Sequence, residues 1–440
     1  MHSPDPLVPS LERTTTMIKT IDYREYKTSC KIQNPASPAI ATSVAEIIAN
    51  VINRGDAALR EYTEKFDRCN LETFEIPNSV IDDAINEIGV EFTGVMQRAA
   101  KNIEEFHRHQ VQRGFEITPR DGIILGQKVT PLQRVGLYIP GGTAAYPSSV
   151  LMNCIPAKLA GVEEVIIVTP PTKNGKVNPG ILAAAKIAGA HRIFTLGGAQ
   201  AVAALAYGTE TVPRVDKITG PGNAYVAEAK RQVFGVVGID MIAGPSDILV
   251  IADEKADPIL VAADMLSQCE HGVDSPAVLV TTCATLAEKV SAELEVQLTT
   301  LPREEMARQA VNEHGRIIVV ETLEQAFEIS NDLAPEHLEI FLDEPRKYLD
   351  RVKNAGSIFL GKNTPEALCD YYAGPNHTLP TSGTARFSST LSVDDFVKKS
   401  SYSYYSEDAL KAAANDVICF AEKEGLTAHA RSVVKRIETT

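Results

Sequence analysis

No apolar run in these 440 residues approaches the roughly 20 needed for a membrane-spanning helix, so no membrane partner is expected. Lys and Arg never gather into a stripe, and the formal net charge is −14. A nucleic-acid backbone is therefore not expected as a partner, and acidity of this size chiefly favours solubility. The seven cysteines (Cys30, Cys69, Cys154, Cys269, Cys283, Cys369 and Cys419) are odd in number and never spaced as CxxC. That usage argues for reduced, packed thiols and a cytoplasmic setting, not a disulfide framework. Met1 to Thr16 has no hydrophobic segment, so it reads as a frayed leader and not as a secretory signal. The G-x-G-x-x-G fingerprint of an ordinary dinucleotide fold is missing. So are a Ser triad, a Cys–His nucleophile, any repeat period and any Trp.

What is present is the composition of an ordinary soluble protein, 44% apolar and 23% charged, long enough for two to four domains. A polar lead-in covers residues 17–36. Helical spacing follows to about Phe115, with Val44, Ile47, Ile48, Val51 and Ile52 on one face and a longer amphipathic helix over Val90 to Gln112. His107 and His109 are two apart and would face different sides of that helix, and both read as solvated. From Ile123 to Ile218, short β-branched runs alternate with helical ones, the pattern of a parallel α/β sheet. A second α/β unit, with strands at Ile248–Ile251, Val278–Thr282 and Ile317–Val320, runs to about Gly361. Helices from Ser406 to Glu424 and from Ala428 to Glu438 close the chain.

Glycine marks the ends of the earlier strands, in Tyr138-Ile-Pro-Gly-Gly142, Leu196-Gly-Gly-Ala-Gln200 and Gly220-Pro-Gly-Asn223. Helix N-termini beyond the carboxyl ends of such strands offer free N–H groups to phosphate. Glycine serves tight turns equally well, so a phosphate-bearing cofactor and plain turn chemistry both remain open.

The sequence is organised around Asp257–Gly272, read as a helix with Asp257 at the N-cap, Pro258 in the first turn and Gly272 as the stop. Ile259, Leu260, Ala263 and Leu266 give it an apolar face. Gln268 and His271 are three apart and would leave the last turn on one side. They could share a metal ion or simply be a polar helix end. Cys269 points elsewhere and reads as a packed thiol. The later half adds Glu336-His337, Asp370, His377 and His429. Glu336-His337 follows Pro335 at what reads as a helix start, where an imidazole stays neutral and can act as a base. Asp370 and His377 flank Gly374-Pro375 and belong to a loop. Each has a bland alternative, a surface histidine or a turn-capping aspartate. A mixed nitrogen and oxygen set would suit Zn²⁺ or a similar divalent ion.

These motifs, with Ser267-Gln-Cys-Glu-His-Gly272, Pro335-Glu-His-Leu338, Asn376-His-Thr-Leu-Pro-Thr381 and Glu424-Gly-Leu-Thr-Ala-His429, resemble the histidinol dehydrogenase family from about residue 20 to the C-terminus. The resemblance implies an α/β fold of two incomplete Rossmann-like parallel-sheet domains, with small N- and C-terminal helical extensions, in an intertwined homodimer. It implies an N-terminal extension over 1–36, a domain of 37–137 with 251–381 carrying the zinc and catalytic residues, an NAD-binding domain over 138–250, and a helical dimerisation segment over 382–440. The implied reaction is the zinc-dependent oxidation of L-histidinol through L-histidinal to L-histidine with two NAD reduced, in the cytoplasm. By the match, Gln268, His271 and Asp370 would hold zinc, joined by His429 from the partner subunit. His337 would be the base, and Glu336 would activate water. Ser246, His377 and Glu424 would contact substrate, with Glu424 and His429 reaching across the interface. Tyr138, Gln200 and Asn223 would contact NAD. Asp247 stands where the family has Glu, in Gly-Pro-Ser-Glu, so a substrate contact there would be altered. Relatives with the same ligand set act on other small amino or sulfonated alcohols. The family's contacts from Glu424 and His377 match here and favour histidinol.

Overall fold

The computed structural model describes residues 18–29, 38–141, 146–172 and 174–438. The leader, Cys30 and part of the first glycine loop lie outside them. In chain order, β1 (Lys19–Asp22) is followed by β2 (Phe115–Arg120) and β3 (Ile123–Pro131). Next come β4 (Arg134–Tyr138), β5 (Glu164–Thr169), β6 (Arg192–Thr195), β7 (Lys217–Thr219) and β8 (Gly238–Ile239), which form a parallel sheet in the order β6-β5-β4-β7-β8. Then β9 (Ile248–Ala252), β10 (Ala277–Thr281), β11 (Arg316–Val319), β12 (His337–Phe341) and β13 (Ser357–Leu360) join β1 in a second parallel sheet, β1-β11-β10-β9-β12-β13. β14 (Val397–Tyr405) returns to pair antiparallel with β3, beside β2.

Both large sheets are parallel with helices on their faces, as the alternating pattern requires: strands buried on both sides read as continuous Val/Ile runs. Ile248–Ala252 is buried at every position. Packing redraws the expected boundaries. The helix Pro38–Arg54 buries Val44, Ile47, Ile48 and Val51 against Tyr138, Ile166 and Val168, on one face of the five-stranded sheet. The helix Val90–Arg108 buries Met96, Ala99 and Ile103 on the other face, against Val135, Leu137 and Ile139. Residues 38–108 therefore belong with the sheet expected to bind the dinucleotide, not with 251–381. Boundaries at 137/138 and 250/251 would cut β4 and β9.

The polar lead-in is also part of the fold. β1 forms the edge of the six-stranded sheet through Lys19–Asp22 against Arg316–Val319, with Ile18 and Ile21 buried. The C-terminal segment carries β14 as well as its two helices, Glu407–Lys423 and Thr427–Glu438. No helix among the described residues is long and apolar enough to cross a membrane.

Candidate active site

The candidate residues lie at the ends of strands in both large sheets. Tyr138 ends β4, and the Gly197 and Gly220 turns follow β6 and β7, so the glycine loops lie at the carboxyl edge of the five-stranded sheet. Asp247 precedes β9 and His337 opens β12, which puts that pair at the amino edge of the six-stranded sheet. The helix that begins after β4 reaches across: the Ser149 hydroxyl lies 3.1 Å from Nε2 of His377.

Glu336 and His337 are not at a helix start. The helix Leu323–Leu333 ends in left-handed Ala334, and Pro335 cannot continue it. The following His-Leu-Glu-Ile-Phe is a central strand, buried throughout. Asp247 grips the pair. Its N–H donates to Oε2 of Glu336 at 3.1 Å, and its Oδ1 accepts the Glu336 N–H at 2.9 Å. Its carbonyl accepts from Nδ1 of His337 at 2.9 Å. A carbonyl only accepts, so the imidazole carries its proton on Nδ1 and leaves Nε2 to face 3.7 Å to Asp370 and 3.9 Å to Glu366. Nε2 has no hydrogen-bond partner in this buried position. The expected neutrality does not hold either. Burial works against charge on His337, but the carboxylates of Glu336, Asp370 and Glu366 outweigh it and hold its pKa well above the ordinary imidazole range. Burial pushes the Glu336 carboxyl up to about 8.

Gln268 sits in the last turn of the helix Pro258–Cys269, fully buried, with neither side-chain atom hydrogen-bonded. A carboxamide left in that state costs about 1–3 kcal/mol unless something else satisfies it. Asp257 caps this helix as expected, accepting from the Ile259 N–H at 2.9 Å. The expected apolar face is misplaced. Ile259 and Leu260 are exposed, whereas Val261, Ala262, Met265, Leu266 and Cys269 are buried. The run is apolar almost all round, so spacing alone could not choose a side. Cys269 is a packed thiol, pushed up to about 12 by burial. His271 lies in the turn beyond the helix and is exposed. Its charge still acts on Asp370 and His377.

Asp370 lies in a π-helical turn, Cys369–Ala373, that ends at Gly374 with φ +117°. A Cβ at Gly374 would come 2.7 Å from the Asn102 carbonyl, so only glycine lets the turn pack there. The Asp370 carbonyl accepts from Nδ1 of His377 at 2.8 Å, fixing that ring. Burial would raise the Asp370 carboxyl, but His337, His377 and His271 draw it below its ordinary value. Among the described residues, one group of His, Cys, Asp or Glu has its ligand atoms within 4.8 Å of one another: His337, Glu366 and Asp370. Glu366 was missed from sequence. It is four residues before Asp370, just after Pro365, and that i, i+4 carboxylate pair was the available signal. Its Oε2 accepts from the Ser267 hydroxyl at 3.0 Å, tying it to the residue beside Gln268.

At the carboxyl edge of the five-stranded sheet, the Tyr138 hydroxyl accepts from the Gly198 N–H at 3.0 Å, and burial pushes its pKa up to about 12. Gln200 is buried, and its Oε1 has no partner. Asn223 caps the helix Ala224–Val233, accepting from the N–H groups of Tyr225 and Val226. Ser246 is partly buried in the loop before β9. His107, expected to be solvated, is fully buried. Its Nδ1 donates to the Ile103 carbonyl at 2.8 Å, and Nε2 lies 3.2 Å from the Asn376 amide nitrogen, just before His377.

The family profile described as histidinol dehydrogenase matches residues 31–437. The chain belongs to the histidinol dehydrogenase family. It is therefore an oxidoreductase. It is 53% identical to the histidinol dehydrogenase of Clostridium acetobutylicum over 420 residues, covering 95% of this chain and 97% of that one. Against that of Streptococcus mutans the identity is 54% over 397 residues, 90% and 92% of the two chains. The crystal structure of the Elizabethkingia anophelis histidinol dehydrogenase is similar with a TM-score of 0.91 and 38% identity, over 96% of this chain and 98% of that chain.

The geometry and the histidinol dehydrogenase pattern overlap without coinciding. Both include Asp370. The pattern's Gln268 is present as a buried, unsatisfied donor group, a fit for a cation's coordination sphere. The compact carboxylate group instead draws in Glu366 and His337. The bonds on Nδ1 of His337 and Oε2 of Glu366 orient the two side chains and leave Nε2 and Oε1 facing Asp370, so both border any ion held there. Glu424 and His429 are exposed at the junction of the last two helices. Within the described residues, no hydrogen bond or ion pair brings them to the cluster of their own chain.

Proposed function

We propose that the chain oxidises L-histidinol through L-histidinal to L-histidine, a four-electron reaction that reduces two NAD, at a zinc site completed across a homodimer in the cytoplasm. The observation that carries this reading is the buried, unpartnered carboxamide of Gln268 beside a base whose free nitrogen, Nε2 of His337, also lacks a partner. Both are what a site awaiting a cation and a polar substrate would contain.

Gln268, His271 and Asp370, with the partner subunit's His429, would hold zinc, which when bound supplies a fixed cation that orients the substrate's imidazole and amino nitrogens. Tyr138, Gln200 and Asn223 would hold NAD, which when bound supplies the hydride acceptor. The Asn223 oxygen is engaged in capping, which leaves its amide N–H for that contact. His337, bonded to Asp247 through Nδ1, would take the alcohol proton on Nε2 as the hydride leaves, in the neutral form it reaches when a bound cation offsets the carboxylates that otherwise keep the ring protonated. Glu336, raised by burial to about 8, takes a proton from the water that adds to the aldehyde carbon, and the resulting hydrate is oxidised in turn. Ser246 and His377 line the substrate's path, and the partner's Glu424 meets its ammonium. Exposed Tyr402 and Tyr404 on β14, Phe420 on the helix Glu407–Lys423 and Leu426 at the junction after it support a second copy as the cover for this face.

The deciding experiment is the NADH yield per mole of L-histidinol, with a chelated sample alongside. Two NADH, lost on chelation and restored by zinc, are expected. One NADH would overturn the four-electron reading and point to another small alcohol.

A further inference from the structure

The family resemblance leads to the expectation of Glu at position 247 and of a substrate contact altered by Asp247. The structure points elsewhere, and we infer that Asp247 is a positioning residue that acts through Glu336. Three of its atoms are already used on the catalytic pair. Oδ1 holds the Glu336 main chain at 2.9 Å, the N–H holds the Glu336 carboxylate at 3.1 Å, and the carbonyl holds Nδ1 of His337 at 2.9 Å. The Ser382 main chain also bonds the Asp247 carboxylate. Strand pairing supports the same grip, since the His337 N–H donates to the Asp247 carbonyl at 3.2 Å.

The division of labour is specific. His337 and the Glu336 carboxylate are held by the Asp247 main chain, which any residue supplies. Of these contacts with the catalytic pair, one depends on the side chain, the Glu336 N–H on a single acceptor oxygen. Without that oxygen a buried N–H is orphaned, and the Glu336 main chain keeps only the bond its carbonyl accepts from the Ser357 N–H at 2.8 Å, so the carboxylate loses its aim. The first oxidation, which uses His337, keeps its ring anchor. The second, which needs Glu336 aimed at a water, does not. Asp247 thus acts on the aldehyde step more than on the alcohol step, through the acceptor and not through its charge.

The inference rests on the proposed role of Glu336, and the test separates the two. Asp247→Ala, Asp247→Asn, Glu336→Gln and the double variant Asp247→Ala/Glu336→Gln are assayed with L-histidinol and L-histidinal separately. Asp247→Ala is expected to lower kcat for histidinal by roughly 10–100-fold, the scale of a 1 Å misplacement, with KM and zinc content near parent values. Asp247→Asn keeps the acceptor oxygen and recovers most of that loss. In the Glu336→Gln background Asp247→Ala should cost little more, since residues acting as a unit are not additive. A raised KM with unchanged kcat would restore the substrate-contact reading and overturn the inference. So would an Asp247→Asn variant as impaired as Asp247→Ala. An impaired Glu336→Gln beside a fully active Asp247→Ala overturns it alone. Normal turnover by Glu336→Gln overturns the role of Glu336 and the inference with it. If Asp247→Ala does not fold, Asp247→Asn carries the test: near-parent kcat supports the inference, and a loss matching Glu336→Gln ends it.

Discussion

Lys230 and Asp240 form an ion pair almost wholly removed from solvent beneath the Gly220 turn. Lys230 donates to the Gly220 carbonyl at 3.0 Å, and Asp240 accepts the Gly220 N–H at 2.7 Å. The pair thus fixes both polar atoms of a residue with φ +109°, whose Cβ, if present, would lie 2.1 Å from the Tyr138 carbonyl. Lys230→Met should therefore do more than remove a contact. It leaves a buried carboxylate without its partner, which costs about 3–5 kcal/mol. Urea unfolding should show that loss, and NADH fluorescence titration should show weaker binding at the loosened turn. Unchanged values in both would mean that water replaces the ammonium without consequence.

Replacing Gln268 by Leu tests the reading of its orphaned amide with opposite signs in two assays. An apolar side chain removes a buried polar group that nothing satisfies in the metal-free fold, so the chelated protein should gain about 1–3 kcal/mol. Zinc is expected to raise the Tm of the parent, and the same change should abolish that rise. A variant less stable without metal, yet still stabilised by zinc, would exclude Gln268 as a ligand.

Much of this site was legible because its residues sit in short motifs with distinctive neighbours. The motifs placed Gln268, Asp370 and the Glu336-His337 pair without help from the fold. Placement on elements was harder. Pro335 signals a helix end as readily as a helix start, and only the pairing of His337–Phe341 with Ile248–Ala252 decides between them. β14 was invisible for a different reason. Lys398 to Tyr405 is exposed at every position, so no alternation of buried and open side chains marks it as a strand. His107 was readable and was passed over: Met96, Ala99, Ile103 and His107 follow one another at three- and four-residue steps along the buried face.

His107→Gln should flatten the acid limb of the stability curve. Burial holds the His107 imidazole below its ordinary pKa, and the folded protein therefore resists protonating it. The unfolded chain has no such resistance. Its contribution is thus fully present above about pH 6.5, the unfolded value, and is lost as pH falls through the folded value. Tm measured from pH 8 to pH 5 should fall less steeply in the variant than in the parent. Parallel curves would show that His107 is not a source of acid sensitivity.

His337→Asn should leave zinc content and NADH binding intact while lowering histidinol oxidation by roughly 10²–10⁴-fold, the usual worth of a general base. The Asn side chain can still meet the Asp247 carbonyl, so the strand start should keep its place. Normal turnover would remove His337 from the proton transfer and leave its bare Nε2 without a role.

His429 and Glu424 make the last argument, because among the described residues no hydrogen bond or ion pair engages their side chains. Both are exposed, and the His429 N–H serves only its local turn, to the Leu426 carbonyl at 3.0 Å. If they complete the partner's site, His429→Ala and His271→Ala should each be inactive alone. Mixed after reversible dissociation, they should regain activity. In each heterodimer one site then has an intact His271 and receives an intact His429, while the other lacks both. Random pairing should restore about a quarter of parent activity. Heterodimers shown to form by mass spectrometry but without activity would mean that each protomer builds its site alone. The last two helices would then need to fold back onto their own chain.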